Sequence, residues 1–481
     1  MSDPVRSFDE GSPPARRTKL VCTLGPASTA RASELAVAGM DVARINFSHG
    51  TPASRSASAD AVRRAASEVG RPIPILADLA GPKIRLGEVA GGSVELEAGR
   101  PFVLRTNGGS RDGDATGAAV TYRALGRDVQ PGDRVLLADG AVELRVVEVG
   151  RDVTTEVVRG GPIRSRAGVS IPSERLSTPA LTDKDVRDLP RVGALGAAYV
   201  AQSFVRRADD VRELRRLLGP GGPPIVAKIE TRPAIDDFEA ILDAADAVMI
   251  ARGDLGVELP YEEVPIVQKQ LVRRALDRGV PSIVATQMLE SMIVFSRPTR
   301  AEASDVANAV FDGADAIMLS GETAIGEHPI LDAEAAVRIV RLCESDGSAH
   351  LAAGAAAPVA GDAGALAYAA VALARAQSDI AAIACYTRTG RTARLLSALR
   401  PRVPIVAFSP DESVVERLAL VHGVTARSCV PPSDTAARLG LMAWLLRESD
   451  FVPAGSAVVL VASTAAAGSG PNLLEVHRIA E

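Results

Sequence analysis

The stretch IVAKIE, Ile225 to Glu230, lies inside PPIVAKIETRPAIDDF (223–238) and decides the fold. Its apolar, β-branched start reads as a strand buried on both faces, yet it finishes with Lys228 and Glu230. Residues two apart on a strand share a face, so the ammonium and the carboxylate point the same way. Seven other runs share the design: LVCTLGPAS (20–28), VARINFSHG (42–50), PILADLAGPK (74–83), AYVAQSFVR (198–206), AVMIARGD (247–254), SIVATQM (282–288) and AIMLSGET (316–323). Each opens apolar and closes on polar residues or glycine.

Between most of these runs the spacing turns helical. In LTDKDVRDL, Thr182 is placed to cap with Asp185 three residues on, and Val211, Leu214 and Leu218 recur before Gly219. Val267, Leu271 and Ala275 form another stripe, and RPTRAEASDVANAVFDG runs from Pro298 near its start to Gly313. Eight strand–helix units predict an α/β chain built on a closed (β/α)8 TIM barrel, with reactive residues at the strand C-termini. An open doubly wound sheet also alternates strand and helix. The number of units and the missing GxGxxG turn after the first strand count against it.

The rhythm breaks once, between PILADLAGPKIR and LSTPALTDKD. There VLLADGAVELRVVEVG predicts a hairpin around Asp139-Gly140, with a further turn at Gly150-Arg151-Asp152. An all-β domain is therefore inserted after the third strand. The Ala/Gly/Pro-rich SDGSAHLAAGAAAPVAGDAGA (345–365) reads as a linker, and IAAIACYT, PIVAFSP, VTARSCV and AVVLVAS beyond it as a separate α/β domain. The expected division is a loose tail (1–17), the barrel (18–85 and 178–346), a β-barrel lid domain (86–177), a linker (347–364) and a C-terminal α/β regulatory domain (365–481).

Composition excludes several classes. A net charge of -5 over 481 residues, with no basic tract, argues against nucleic acid as a partner. No apolar run approaches the roughly 20 residues a membrane helix needs, and the opening MSDPVRSFDEGSPPARR is neither a secretory signal nor an anchor. Cys22, Cys343, Cys385 and Cys429 show no CxxC spacing, so neither zinc nor disulfides are indicated. A cytoplasmic location is expected.

The strand ends carry the chemistry. Glu230 and Asp254, two hard carboxylates, suit Mg2+, and Lys228, Arg44 and Arg85 add positive charge beside them. Metal and convergent cations together are what phosphoryl transfer requires. The turn Gly253-Asp254-Leu255-Gly256 can open a short helix whose N–H groups receive a carboxylate. Each residue has a plainer reading: Lys228 and Glu230 as an ion pair, Asp254 as a helix cap, His49 as an ordinary loop histidine, Thr286 and Ser320 as backbone-bonding hydroxyls. Their shared position at one end of successive strands favours catalysis.

In order along the chain, TKLVCTLGPAS, GMDVARINFSHG, DLAGPKIR, KIE, MIARGDLGVELP, VATQMLESMI and RPTRAEASDVANAVFDGADAIMLSGET resemble the barrel motifs of the pyruvate kinase family. The resemblance runs from Thr18 onward and is looser in the C-terminal domain. It implies that Glu230 and Asp254 hold Mg2+, with Mn2+ as a substitute. The Gly253-Asp254 turn and Thr286 would receive the carboxylate of phosphoenolpyruvate, while Arg44 and Lys228 grip its phosphoryl group. ADP would attack, giving ATP and pyruvate. Thr286 and Ser320 would line a proton relay, His49 and Arg85 would face the nucleotide, and the lid would close to exclude water. A homotetramer is implied as well.

Departures from the family pattern sharpen these expectations. Asn46, Ser48, Asp78 and the backbone of Leu79 match the family's K+ position, but Lys83 replaces a glutamate, and Leu79 and Leu86 replace threonines. An ammonium at Lys83 would supply the charge of the ion, so K+ is expected not to be required. SRAGVSIP stands where relatives commonly have a lysine before the glycine, and Arg166 is expected to take over that lysine's contact with the nucleotide. Gln202 replaces a small residue, with no account of why. In YTRTGRTARLL, Thr387, Thr389, Gly390, Arg391 and Thr392 resemble a loop that takes a phosphorylated allosteric effector; the alternative is a plain helix start capped by Thr389. Against the kinase stand a Mg2+-dependent lyase of the pyruvate-aldolase type and a catalytically dead metabolite sensor.

Overall fold

The computed structural model describes residues 16–106, 112–346, 361–430, 432, 434–449, 451–463 and 471–480. Most of the tail expected at 1–17 and of the linker expected at 347–364 lies outside them. The eight polar-ended runs form eight parallel strands: Lys19–Thr23, Val42–Asn46, Ile75–Asp78, Tyr199–Val205, Ile225–Ile229, Ala247–Ala251, Ser282–Ala285 and Ala316–Leu319. Each pairs with its barrel neighbours, and the first closes on the last, Lys19 opposite Ala316.

Strand alternation sorts the side chains into two cores. Val21, Val42, Leu76, Ala201, Val226 and Met318 belong to an apolar cluster filling the lumen. Leu20, Ala43, Ile75, Val200, Ala227 and Ile317 turn outward against the helices. Two residues beyond each lumen residue, on the same inward face, come Thr23, Arg44, Asp78, Ser203, Lys228 and Ser320. The lumen is thus apolar, with a row of polar side chains at its C-terminal mouth.

The helices start and stop where their punctuation predicts. Thr182 and Asp185 form a reciprocal capping box on Asp183–Ala194, and Thr299 does the same with Glu302 on Arg300–Asp312. Pro298 therefore precedes the cap of its helix instead of opening it. Gly313 ends that helix at φ 93°, a left-handed conformation that favours glycine.

In the insertion, a six-stranded sheet and a two-stranded ribbon enclose a separate apolar core. Both predicted turns are present: Arg134–Leu137 pairs with Val142–Val149, which pairs with Val153–Arg159. The two edges of the sheet meet only through single-residue bridges, Arg85 to Gly168 and Leu86 to Val120. The closure expected of a β-barrel thus rests on two bridges among the described residues.

The C-terminal sheet has five strands. The four expected runs pair in parallel, and Leu473–Arg478 adds an antiparallel edge. This domain seals the N-terminal end of the barrel. Leu420, fully buried, joins the lumen cluster, and Tyr199 Oη donates to the Arg417 carbonyl at 2.8 Å. Lys19 Nζ donates to the Val424 carbonyl at 2.9 Å, and buried Arg400 pairs with buried Asp315 at 3.1 Å. No helix among the described residues is long and apolar enough to cross a membrane.

Candidate active site

At the barrel mouth, the third and fifth strands bring three charges into one buried group. Lys228 Nζ lies 2.8 Å from Glu230 Oε1 and 3.5 Å from Asp78 Oδ1, and donates to Ser203 Oγ at 2.8 Å. From the second strand, Arg44 Nε reaches the other Asp78 oxygen at 2.7 Å, and Nη1 reaches Thr23 Oγ1 at 2.9 Å. Burial opposes every one of these charges. Lys228 stays protonated because Asp78 and Glu230 outweigh its loss of water. Burial also raises Asp78, but Lys228 and Arg44 pull it below the usual carboxylate range. Glu230 goes the other way, since burial and the like charge of Asp254 outweigh the ammonium.

Glu230 is held by geometry as well as charge. Phe204 adopts a left-handed φ of 55°, bending the fourth strand so that its N–H donates to Glu230 Oε2 at 2.8 Å. The other oxygen, Oε1, is buried and makes no well-aligned hydrogen bond despite its closeness to Lys228. A carboxylate oxygen with lone pairs unused fits a divalent cation. Asp254 lines the same cleft of about 570 Å3 between barrel and inserted domain. No group of three or more metal-ligating side chains occurs among the described residues. Two carboxylates with room for water and substrate oxygens are the donor set Mg2+ prefers.

The seventh strand ends in strain. Thr286 and Gln287 take left-handed φ values of 71° and 54°, unfavourable for a β-branched threonine. This turn places Thr286 Oγ1 to accept from Gly253 N–H at 2.7 Å, at the start of the short helix Arg252–Glu258. The N–H expected to receive a carboxylate already holds a hydroxyl oxygen. Arg252, absent from the sequence expectations, braces the turn: it donates to the Thr286 carbonyl at 2.6 Å and to both oxygens of Asp305 at 2.6 Å. Glu322 ties the next strand end to it, accepting from Ser320 N–H at 2.7 Å and Leu289 N–H at 3.1 Å. Ser320 Oγ is buried with no hydrogen-bond partner among the described residues.

Residues 15–333 match the family model "Pyruvate kinase, barrel domain", and 364–477 match "Pyruvate kinase, alpha/beta domain". The chain belongs to the pyruvate kinase family. Similar pyruvate kinases include that of Corynebacterium glutamicum, 42% identical over 97% of this chain and 98% of the relative. Another, from Mycobacterium tuberculosis, is 42% identical over 97% and 99%. A crystal structure described as a pyruvate kinase from Cryptosporidium parvum superposes with a TM-score of 0.87 at 32% identity, covering 96% of each chain. Membership in the pyruvate kinase family makes this chain a phosphotransferase enzyme.

Other positions expected from the pyruvate kinase resemblance are sorted by the geometry. His49 stands in the field of Lys83, Arg85 and Arg44, and partial burial together with these cations lowers its pKa. Arg85 lines the cleft, donating to the Arg166 carbonyl at 3.0 Å. Arg166 itself does not reach the cleft: its guanidinium pairs with Glu88 at 2.7 Å on the surface, and Arg164 lines the wall instead. At the monovalent-cation position, Asn46 Oδ1 accepts from Ser48 N–H at 2.9 Å and the Leu79 carbonyl accepts from Ser203 Oγ at 2.8 Å. Asp78 is committed to Arg44 and Lys228, and Lys83 adds to the field on it. The Leu79 and Leu86 side chains are buried in the barrel and inserted-domain cores. Gln202 faces outward on its strand, donating to the Asp210 carbonyl at 3.1 Å, and takes no part in the mouth.

In the C-terminal loop, Thr387 Oγ1 accepts from Gly390 N–H at 3.0 Å and Thr389 Oγ1 accepts from Arg391 N–H at 3.4 Å. The cap of Arg391–Ala398 is Gly390, not Thr389.

Proposed function

We propose that this chain moves the phosphoryl group of phosphoenolpyruvate to ADP, giving pyruvate and ATP. The observation that carries this reading is the buried group Asp78, Lys228, Glu230 and Arg44, beside a carboxylate oxygen left without a hydrogen bond. Glu230 and Asp254 would hold Mg2+, or Mn2+ in its place. Such an ion supplies a fixed positive charge against phosphoryl and enolate oxygens. Arg44 and Lys228, positioned before substrate arrives, neutralise charge that develops on the transferring group without reorganisation. Lys228 stays protonated and faces the enolate oxygen as the bond to phosphorus breaks. Gly253 N–H exchanges the Thr286 hydroxyl for the substrate carboxylate, and the released hydroxyl, with Ser320, lines the path of the proton to the methylene carbon. Closure of residues 86–177 over 18–85 and 178–346 sends the phosphoryl group to ADP instead of water.

Several finer readings belong to the same proposal. Lys83, Arg44 and Lys228 replace K+ in the field of Asp78, so the enzyme works without it: comparable rates with and without K+ at fixed ionic strength are expected, and strict dependence overturns the reading. His49 and Arg85 face the nucleotide. The Thr387–Thr392 loop takes a phosphorylated effector in the regulatory domain 365–481. The protein assembles as a cytoplasmic homotetramer. The decisive experiment is pyruvate formation from phosphoenolpyruvate in a coupled assay, with and without ADP. Turnover that needs ADP supports the kinase; ADP-independent pyruvate, or none at all, rejects it.

A further inference from the structure

We propose that the first turn of the helix Asp183–Ala194 sets lid and nucleotide loop in one frame: Asp185 fixes the axis on which the inserted domain swings, and Lys184 fixes the loop at 46–50 to it. Both are positioning residues, a role that rests on the reading that this domain closes over a nucleotide facing His49.

A capping box needs one carboxylate oxygen. Asp185 Oδ2 meets that need, accepting from Thr182 N–H at 2.9 Å and Thr182 Oγ1 at 2.6 Å. Oδ1 is engaged elsewhere, accepting from Ala80 N–H at 3.0 Å and Gly81 N–H at 3.3 Å. Asp185 is fully buried, so these bonds are made away from water, where their geometry is most restrictive. Ala80 and Gly81 lead from the third strand into the inserted domain, and Thr182 follows its return. One carboxylate thus ties both crossings of the chain.

The entry has little slack. Gly81 has φ 64°, and a Cβ there would stand 2.8 Å from Ser203 Cβ, so this residue lies close against the fourth strand. Three residues on, the chain already belongs to the insertion: the Ile84 carbonyl accepts from Val169 N–H at 3.0 Å, and Leu86 N–H donates to the Ala167 carbonyl at 2.9 Å. With so short a free length, any shift of Ala80 and Gly81 moves the axis itself. On the return, Arg206 donates to the Leu176 and Thr178 carbonyls.

The neighbouring Lys184 reaches a different loop. Its Nζ donates to the Phe47 carbonyl at 2.9 Å and to Asp188 Oδ2 at 2.7 Å. Buried Arg55 donates to the same carbonyl at 3.3 Å, with its guanidinium 4.7 Å from the Phe47 ring centre. Two cations on one carbonyl hold the backbone two residues before His49, and bonds from charged donors are the stronger kind. Adjacent residues of one capped turn keep their spacing, so loop and axis hold one relative position while the lid swings.

Three variants separate the two roles. Lys184→Met should weaken ADP binding, read by calorimetry, at least about fivefold, and change KM for phosphoenolpyruvate less than about twofold; Lys184→Arg should restore most of the affinity. Asp188 stays paired with Arg191 in both. Asp185→Asn should broaden the distance distribution between nitroxides at Val147→Cys and Ile325→Cys, both exposed sites. It should also release inorganic phosphate with part of its pyruvate, as water takes the phosphoryl group in place of ADP. Thr182→Ala removes the cap hydroxyl but leaves Oδ1 on Ala80 and Gly81, so it weakens the helix without either effect. Should Asp185→Asn not fold, Asp185→Glu, the commoner partner in a capping box, replaces it with the same expectation. Equal changes for both substrates in Lys184→Met, a distribution in Asp185→Asn as narrow as the parent's, or equal broadening in Thr182→Ala overturns the assignment. A parent that makes no pyruvate with ADP overturns the proposed function instead, and the label distances still judge Asp185.

Discussion

Lys228 has three partners in the buried group, Asp78, Glu230 and Ser203, and the predictions at this scale follow from how tightly it is held. Lys228→Met leaves Asp78 paired with Arg44 but removes the charge proposed to face the enolate. Turnover should fall by at least about a thousandfold, in line with the loss of one preorganised electrostatic group; kinetics on variant shown folded by circular dichroism check this, and retained activity rejects the mechanism. Thr286→Ser keeps the hydroxyl on Gly253 and should keep most of kcat, whereas Thr286→Val should lose about a hundredfold. Asp332 gives a pH effect away from the mouth. It is buried with both oxygens unpartnered, and burial with the nearby Glu322 charge pushes it up to about 8. The folded state then binds a proton the unfolded chain has released, so stability falls as pH rises from about 4 to about 8 and levels off above. Asp332→Ala should be more stable than the parent, by an amount growing up to about 1.4 kcal/mol per pH unit across that window. Chemical denaturation at pH 5 and pH 8 reads it; a gap that shrinks toward pH 8 refutes the assignment.

At the scale of elements, the short helix Arg252–Glu258 is only as well placed as the turn it leans on. Arg252 links the two by holding the Thr286 carbonyl and Asp305 together. Arg252→Met should therefore raise KM for phosphoenolpyruvate and lower kcat about tenfold or more, through misplacement and not lost contact. Asp305→Asn should shift both in the same direction by less; steady-state kinetics on the two variants compares them. This brace also marks the boundary of what the sequence disclosed. Strands such as Ile225–Ile229 were readable because parallel strands buried on both faces are continuous apolar runs, and parity placed Lys228 and Glu230 on one face. Asp78 was seen as a cation ligand, yet its bond to Arg44 and its approach to Lys228 join three strands, and no local pattern encodes that. Ser203 and Arg252 were missed for the same reason: their partners lie 25 and 53 residues away. Leu473–Arg478 escaped because an edge strand half open to solvent has no apolar run to betray it.

Over the whole molecule, the C-terminal domain is part of the barrel's interior. Leu420→Ala should cost about 2–5 kcal/mol, the usual penalty for a cavity in a closed core, and thermal unfolding should show barrel and C-terminal domain losing structure together. Two well-separated transitions would show that the junction contributes little. The same leucine bears on how the protein is made. A nascent chain that has emerged only as far as the eighth strand still has an open, greasy floor, because the side chain that seals it lies about a hundred residues further on in the sequence. Synthesis therefore passes through a stage at which self-association competes with completion, and an excised barrel expressed by itself would need a polar residue facing that gap to stay dispersed.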